Sequence, residues 1–555
     1  MPSEKTTLEL LSTLAKEPSN ESHLAELKKR IAAGDEKLDH AFFSTMAELA
    51  PPQITSAISG GWFGPKTWTN CVNQQKCYPT EIRTARNLKD ITTAVNEAHS
   101  KGITVRAVGS GHSYSNVAPV YKGGLLLDPH EMNKVLKVDE ALLKDSQNAG
   151  VLFAVESGIT IKDLNLALDK RGLALQNMGA FDGQTLAGAI STGTHGTGIN
   201  FGPIASSVRA IVLVSGDGTV YQIEKSEGIS DPEKFKEKVH DRTLKQDDDW
   251  FNSVVISMGC TGIIYSYILE VVPAYYLTES RELGSWTQAK EHLRMTEDGD
   301  LPEVLTKNRH YEIDINPYPV ENVHSCIIQT KNIDPTNKPH GSRGIVDWIA
   351  GILAGCPLAE HWIVWALNLW PQTTPEMINN ALNSLVVKDH ADKSYKILNI
   401  GAVNNVKAFA VELSYPVDKD LVPEIDRLLG IFHDEAAKMN WYLAGPFSLR
   451  FVAASDAYLA PQHGRLTCMV ELDMLLGIKA GDELLRSIIK KVQAKNPAVR
   501  VHWGLDLDTV DKDEVLKVYP EFSKWLEVYA ELNPVGLFNS PFTDRLEISA
   551  TTKGI

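Results

Sequence analysis

The sequence predicts an α+β protein of two large domains, and three observations carry that prediction. From Thr80 onward short strands and helices alternate at βαβ-like spacing. Residues 208–223 read as a tight hairpin, and beyond Pro273 strand-like apolar runs mix with long amphipathic helices. The length, 555 residues, exceeds one ordinary domain.

In chain order, residues 1 to about 50 (including HLAELKKRIAAGDEKLDHAFFSTMAEL) place apolar side chains three and four apart and end at Pro51-Pro52. That spacing suits an amphipathic helix packed on another element. IRTARNLKDITTAVNEAHSKG reads as a short strand and a helix, and ITVRAVG as a strand rich in β-branched residues. LLLD, LFAVESG and ALQNMG are further strands, with the helix IKDLNLALDKRG between the last two. Gly216-Asp217-Gly218 marks the hairpin turn. Residues 224–249 alternate lysine with acidic residues and read as a solvated helix or loop. GCTGIIYSYILEVVP then returns to strand character and ends at Pro273, the expected domain boundary. Beyond it HYEIDINPY, AFAVELSYPV and CMVELDM read as strands, LVPEIDRLLGIFHDEAAKM and ELLRSIIKKVQ as helices.

Composition removes several classes of function. With 43% hydrophobic and 23% charged residues the chain is a soluble globular protein with a substantial core. A net charge of −15 excludes the basic footprint that a nucleic-acid partner needs. No basic start precedes an apolar run at the N-terminus, so no signal peptide and a cytoplasmic location are expected. The apolar region Ile345–Trp370 is broken by Asp347, Pro357, Glu360 and His361. Neither half reaches the roughly 20 residues of a membrane span, and buried helices are expected there. Six cysteines are scattered without a CxxC. Free thiols in a reducing compartment are expected, although Cys71 and Cys77 stand near enough to pair. The sixteen histidines show neither HExxH nor zinc spacing, so no metal site is expected. Phosphate-loop and GxSxG signatures are absent.

Two glycine-rich loops carry the chemistry. The first is Val108-Gly-Ser-Gly-His-Ser-Tyr-Ser115. Its glycines let the backbone approach a ligand, and adjacent amides form an anion nest that suits a pyrophosphate. The third glycine of a nicotinamide-dinucleotide fingerprint is missing, and no helix opens after it. The second loop, GAFDGQTLAGAISTGTHGTG (179–198), is too rich in glycine and hydroxyls to pack a core by itself. Such a stretch wraps a polar ligand.

Together with GCTGIIYSYILEV (259–271), VHWG (501–504) and NPVGLFNSPFTDRL (533–546), these loops resemble the vanillyl-alcohol-oxidase superfamily, and within it the aldonolactone and alditol oxidases. The resemblance spans about residues 60–550. It implies a helical extension (1–55), a two-lobed FAD-binding domain of the PCMH type (56–275) and a substrate (cap) domain with a large antiparallel sheet flanked by helices (276–500). A C-terminal segment (501–555) would then return to the flavin. It further implies FAD bonded covalently to His112 through the flavin 8α-methyl group. Val108, Gly109, Ser110, Gly111 and Ser113 would hold the cofactor from the first loop. Gly179, Ala180, Asp182, Thr185, Gly188 and Ala189 would hold it from the second, followed by Thr192, Thr194 and His195. Gly262, Ile264 and His502 complete the set. Other branches add a cysteinyl link early in the second loop; Asn177 and Met178 stand there, so a single bond is expected. Such a bond raises the potential of the ring and favours substrate oxidation.

On the substrate side the resemblance implies a small-molecule alcohol, a base for its hydroxyl proton, a cation near the ring and dioxygen as acceptor. Three positions depart from the pattern. Glu-x-Arg appears as Ser448-Leu449-Arg450, His-Trp-Gly-Lys ends in Leu505, and a substrate-contacting serine aligns with Ala180. Each change removes polarity, so a substrate less polar than polyols or aldonolactones is expected. Arg450 is expected as the cation, or else as a salt-bridged arginine. His502 is expected as base or hydrogen-bond partner, or else as a satisfied core histidine. Bare Gly179 leaves room for dioxygen and favours an oxidase that releases hydrogen peroxide. The alternatives are a dehydrogenase of the same fold and a catalytically silent flavin-binding protein. Asp506 and Asp508, just after His502, are equally well plain loop carboxylates.

Overall fold

A computed structural model describes residues 26, 67–344, 364, 367–401 and 407–549. The helical reading of the first 50 residues, Glu26 apart, and most of the Ile345–Trp370 region lie outside the described residues. Among the described residues no helix is long and apolar enough to cross a membrane.

Three sheets organise the chain. β1 (Glu81–Thr84), β2 (Val105–Ala107) and β3 (Leu125–Asp128) form a small parallel sheet in the order β1-β3-β2. α1 (Leu88–Lys101) makes the crossover. It starts where the Asn87 side chain accepts from the Asp90 amide and stops at Gly102, whose φ of 62° suits a left-handed cap. Its buried Ile91, Ala94, Val95 and Ala98 repeat at three- and four-residue spacing and pack on Val105, Leu125 and Leu127.

The second sheet holds β4 (Val135–Leu136), β5 (Leu152–Glu156), β6 (Val208–Val214), β7 (Val220–Glu224), β8 (Thr243–Gln246) and β9 (Ile263–Glu270) in the order β8-β7-β6-β9-β5-β4. β6 and β7 are the antiparallel hairpin that Gly216-Asp217-Gly218 signalled. Residues 224–249 hold the expected helix, Pro232–Lys238, and the reading as helix or loop is corrected only over β8, which pairs in parallel with β7 at the sheet edge. An edge strand keeps its charged side chains partly in water, so the charge pattern did not forbid pairing.

The third sheet has eight strands, all antiparallel to their neighbours: β10 (Tyr276–Ser285), β11 (His310–Ile315), β12 (Ser325–Ile333), β13 (Val387–Lys393), β14 (Ala408–Pro416), β15 (Phe447–Val452), β16 (Thr467–Leu475) and β17 (Arg500–Val501). Their order is β13-β10-β12-β11-β15-β16-β14-β17. The helix Leu421–Met439 covers one face, with Phe432 edge-on to Phe447 at 5.3 Å. Alternation along β15 therefore sends Ser448 and Arg450 to the other face.

Candidate active site

The first glycine loop leaves β2 and meets the second loop across a narrow cleft. α2 (Leu186–Thr192) opens on the far side, capped by the Thr185 hydroxyl 3.4 Å from the Gly188 amide. The glycines are needed where they stand. A Cβ on Gly109 would collide with Thr185 Oγ1, and Gly262, at φ 153°, lies against Leu213. Beneath the loops buried Arg106 donates to the Gly259 and Phe538 carbonyls at 2.8 and 3.3 Å, tying β2 to both later segments. The first loop from Val108 to Ser113 lines the cleft, as do Thr185, Gly188, Thr192, Gly262 and Ile264. Among the described residues no carboxylate is in the cleft walls, and the buried Ser157 hydroxyl there has no hydrogen-bond partner. Close backbone approach, free hydroxyls and absence of acidic repulsion fit the pyrophosphate of FAD. Two expected cofactor residues are placed elsewhere. Ala189 is turned into the core by the pitch of α2, and Asp182 lies in neither wall, its carbonyl accepting from the Lys162 amide.

The cleft shares His112, Gln184 and Thr192 with a second cavity of about 540 Å³. His112 stands at the junction. Burial pushes its pKa down to about 4, so its imidazole is neutral and keeps a nucleophilic lone pair. Its ring lies 4.1 Å from that of Phe181, and Nδ1 is 3.6 Å from Cys71 Sγ. Burial raises the Cys71 thiol and keeps it protonated. Cys71 and Cys77 are both free and form no bridge. Gly179, Ala180, Thr194 and His195 form one side of this cavity, with His502 and Leu505 beside them.

The opposite wall is the open face of the eight-stranded sheet. Cross-strand register sets Asp314 opposite Ser448, Ser448 opposite Glu471 and Glu471 opposite Glu412. Glu312, Arg450 and Asp473 share that face by alternation along the same strands. Arg450 Nε donates to Glu312 at 2.9 Å, Nη1 pairs with Glu471 and lies 3.8 Å from Glu412 Oε1. Arg450 thus lines the cavity as a salt-bridged arginine, with Nη2 lacking an acceptor among the described residues. Glu412 is 3% exposed. Its Oε2 accepts from His195 Nε2 at 3.1 Å, and its Oε1 makes no hydrogen bond among the described residues. Burial alone would lower the His195 pKa, but the Glu412 charge and hydrogen bond raise it. The pair is an imidazolium and a carboxylate, the latter held at about 2.

Two substrate-side expectations are corrected by this geometry. Ser448 does not reach the cavity, because its hydroxyl donates to Asp314 at 2.6 Å. His502 does not offer a base. Its Nδ1 accepts from the Gly504 amide at 3.2 Å, the ring also bonds the Gly193 carbonyl, and burial lowers its pKa to about 4. The pocket expected to be less polar is lined by Glu412, Glu471, Asp473, Arg450 and Lys407 as well as by apolar side chains. Sequence reasoning missed Glu412, Glu471 and Asp473. Their signal was a carboxylate at an inward position of an otherwise apolar strand, as in Ala-Val-Glu-Leu and Val-Glu-Leu-Asp. His195, Glu412 and His502 bring ligand-type atoms within 4.8 Å of one another.

Cleft and cavity joined at one histidine define the class: a FAD-dependent oxidoreductase of the PCMH fold, acting on CH–OH groups. Residues 79–224 match the FAD binding domain family, and residues 268–546 match the D-arabinono-1,4-lactone oxidase family. The chain belongs to the D-arabinono-1,4-lactone oxidase family. It is similar to an L-gulono-1,4-lactone dehydrogenase of Mycobacterium tuberculosis, 24% identical over 86% of this chain and 98% of the relative. It is also similar to the L-gulonolactone oxidase of Mus musculus, 27% identical over 85% and 96% of the two chains. Among solved structures a solvent-stable cholesterol oxidase superposes with a TM-score of 0.62 over 86% of this chain and 97% of that one. At 14% identity it shares the fold.

Proposed function

We propose that the chain is an oxidase of a small-molecule alcohol or lactol, with FAD held by one covalent bond to His112 and dioxygen as electron acceptor. Residues 56–275 would carry the cofactor and residues 276–500 the substrate wall. The observation that carries the reading is Glu412 Oε1, 3.8 Å from Arg450 Nη1 and without a hydrogen bond among the described residues, in a cavity that shares His112 with the cofactor cleft. FAD held in the cleft would supply a hydride acceptor for the carbinol carbon and, once reduced, electrons for dioxygen. The protein's own groups do the rest. Arg450 Nη2 donates to the substrate oxygen and orients it. Glu412 Oε1 accepts the hydroxyl proton. A carboxylate held at about 2 is a weak base toward an alcohol, but the hydroxyl becomes strongly acidic as its carbon loses hydride. His195, hydrogen-bonded to both Glu412 and the Gly196 carbonyl, fixes the carboxylate. Buried His502 keeps a neutral ring beside the cavity.

The oxidase reading rests on Gly179. A Cβ there would stand 3.0 Å from Thr194 Cγ2 and 3.2 Å from the His195 carbonyl, filling the gap. Rapid mixing of the substrate-bleached enzyme with air is expected to restore the flavin band quickly and release peroxide. Gly179→Ala is expected to slow that step by an order of magnitude or more, with bleaching by substrate little changed. Slow recovery in air, together with fast recovery with a soluble dye, would make the protein a dehydrogenase, the activity named for its mycobacterial relative.

A further inference from the structure

Five carboxyl groups stand on the sheet face that carries the cavity wall: Glu312, Asp314, Glu412, Glu471 and Asp473. Lys331 and Arg450 pair with Glu312, Arg450 with Glu471, and His195 with Glu412, so three carboxylates are matched by three cations. Asp314 does not line the cavity and is bonded to Ser448 and Gln329. Asp473 lines it, and among the described residues its carboxyl makes no hydrogen bond or ion pair. Its neighbours explain why. β14 sets Ala410 directly opposite it. On the other side the chain enters β15 through Gly445-Pro446, and a Cβ on Gly445 would stand 2.7 Å from that of Asp473. A methyl group and bare backbone offer the carboxyl nothing, which leaves the cavity as the source of a partner. The ionisable groups around it are Glu471 on its own strand, Glu412 on β14, Asp314 on β11, Arg450 on β15 and Tyr114 in the first glycine loop, with Lys407 at the rim. No cation touches Asp473, so ionising it would add an uncompensated charge beside Glu471. Burial raises its pKa well above the usual range, Glu471 adds to the rise, and Arg450 opposes it. The carboxyl keeps its proton.

A protonated carboxyl has an O–H to give, and one left bare in a cavity wall is an unmet donor that a ligand oxygen can satisfy. We propose that Asp473 sets substrate specificity as a neutral carboxylic acid, donating its O–H to a substrate oxygen beyond the one that Arg450 and Glu412 hold. The proposal rests on the reading of this cavity as the substrate site. Glu471 stands opposite Glu412, and Asp473 follows it two residues, about 7 Å, along β16 on the same face. The strand then runs on to Leu475 opposite Ala408, next to the exposed Lys407. Asp473 therefore meets the part of the substrate nearer that rim and not the carbon that reacts. A molecule without an oxygen there leaves the buried O–H unpaired and is disfavoured.

Difference infrared spectra of the FAD-loaded full-length protein, wild type minus Asp473→Asn at neutral pH, test this with sorbitol as the probe. The wild type is expected to show the carbonyl stretch of a protonated carboxylic acid that the variant lacks. Saturating sorbitol is expected to shift that stretch to lower frequency as the O–H is engaged. Calorimetric titration of sorbitol gives a second readout. Asparagine is neutral and keeps a donor of almost the same shape, so Asp473→Asn should bind within about threefold of the wild type, and Asp473→Ala about tenfold more weakly. Wild-type affinity should not fall as pH drops from about 8 to about 5, because the working form already carries its proton. Four results each overturn the proposal: no protonated-acid stretch at Asp473, a stretch that sorbitol leaves unmoved, an asparagine variant as weak as the alanine one, or affinity lost on acidification in the wild type alone. Peroxide release from the same mixtures separates it from the oxidase reading. A shifted stretch without peroxide keeps the donor role and removes the oxidase, and peroxide with an unmoved stretch does the reverse.

Discussion

Glu412→Gln is expected to slow bleaching of the flavin band by substrate under argon about 10²- to 10⁴-fold, the range for loss of a positioned base. The yellow colour should remain, since Glu412 lines the substrate cavity and not the cofactor cleft. Glutamine keeps the volume and can still accept from His195, but it has no carboxylate to receive the hydroxyl proton. KM should move little, because substrate orientation comes from Arg450. The variant also removes the charge that raises the His195 pKa, so burial should leave that ring neutral. Stopped-flow absorbance at saturating substrate gives the rate directly. A loss smaller than tenfold would take the base role away from Glu412.

Arg450→Met is expected to destabilise the fold by about 3–5 kcal/mol at pH 7, the cost of breaking a buried ion network by deleting one partner. Three carboxylates lose their shared cation, of which only Glu312 keeps Lys331 and Glu412 keeps His195. The pH dependence follows from the same contacts. Burial would raise the Glu312 pKa, but Lys331 and Arg450 together hold it at about 2, below its unfolded value of about 4.3. A carboxylate shifted down contributes stability above its unfolded pKa and loses it as pH falls through the folded one. Without Arg450 much of that contribution disappears, so the melting gap between wild type and variant should be wide at pH 7 and narrow toward pH 3. Thermal melts at both values check this. Adding Glu471→Gln to Arg450→Met should recover part of the loss, since it deletes one of the stranded charges.

The two halves of the site differed in how legible they were. The cofactor half depends on local backbone demands, glycines where a Cβ would clash and hydroxyls where amides need company, and these stand consecutively in 108–115 and 179–198. A linear reading could find them, although the pitch of α2 that hides Ala189 was not visible. The substrate half is assembled by register across four strands between residues 310 and 475. Ser448 read alone suggested a lost carboxylate. Only the pairing Asp314–Ser448–Glu471–Glu412 shows that its neighbours supply three. His502 stands out in the sequence beside Trp503 and Gly504, but its proton-accepting nitrogen is spent on Gly504, a contact set by the turn after β17. β8 was hidden because edge pairing depends on the backbone of β7, which charge alternation does not report.

The flavin link at His112 joins both halves, and one measurement tests it most directly. The full-length protein is precipitated with acid, the pellet digested, and the yellow peptide identified by mass spectrometry. The expected result is a yellow pellet whose flavin-bearing peptide contains His112, with Cys71 unmodified, and a colourless pellet from His112→Ala that leaves its FAD in the supernatant. A colourless wild-type pellet, or flavin on any other residue, would contradict the account.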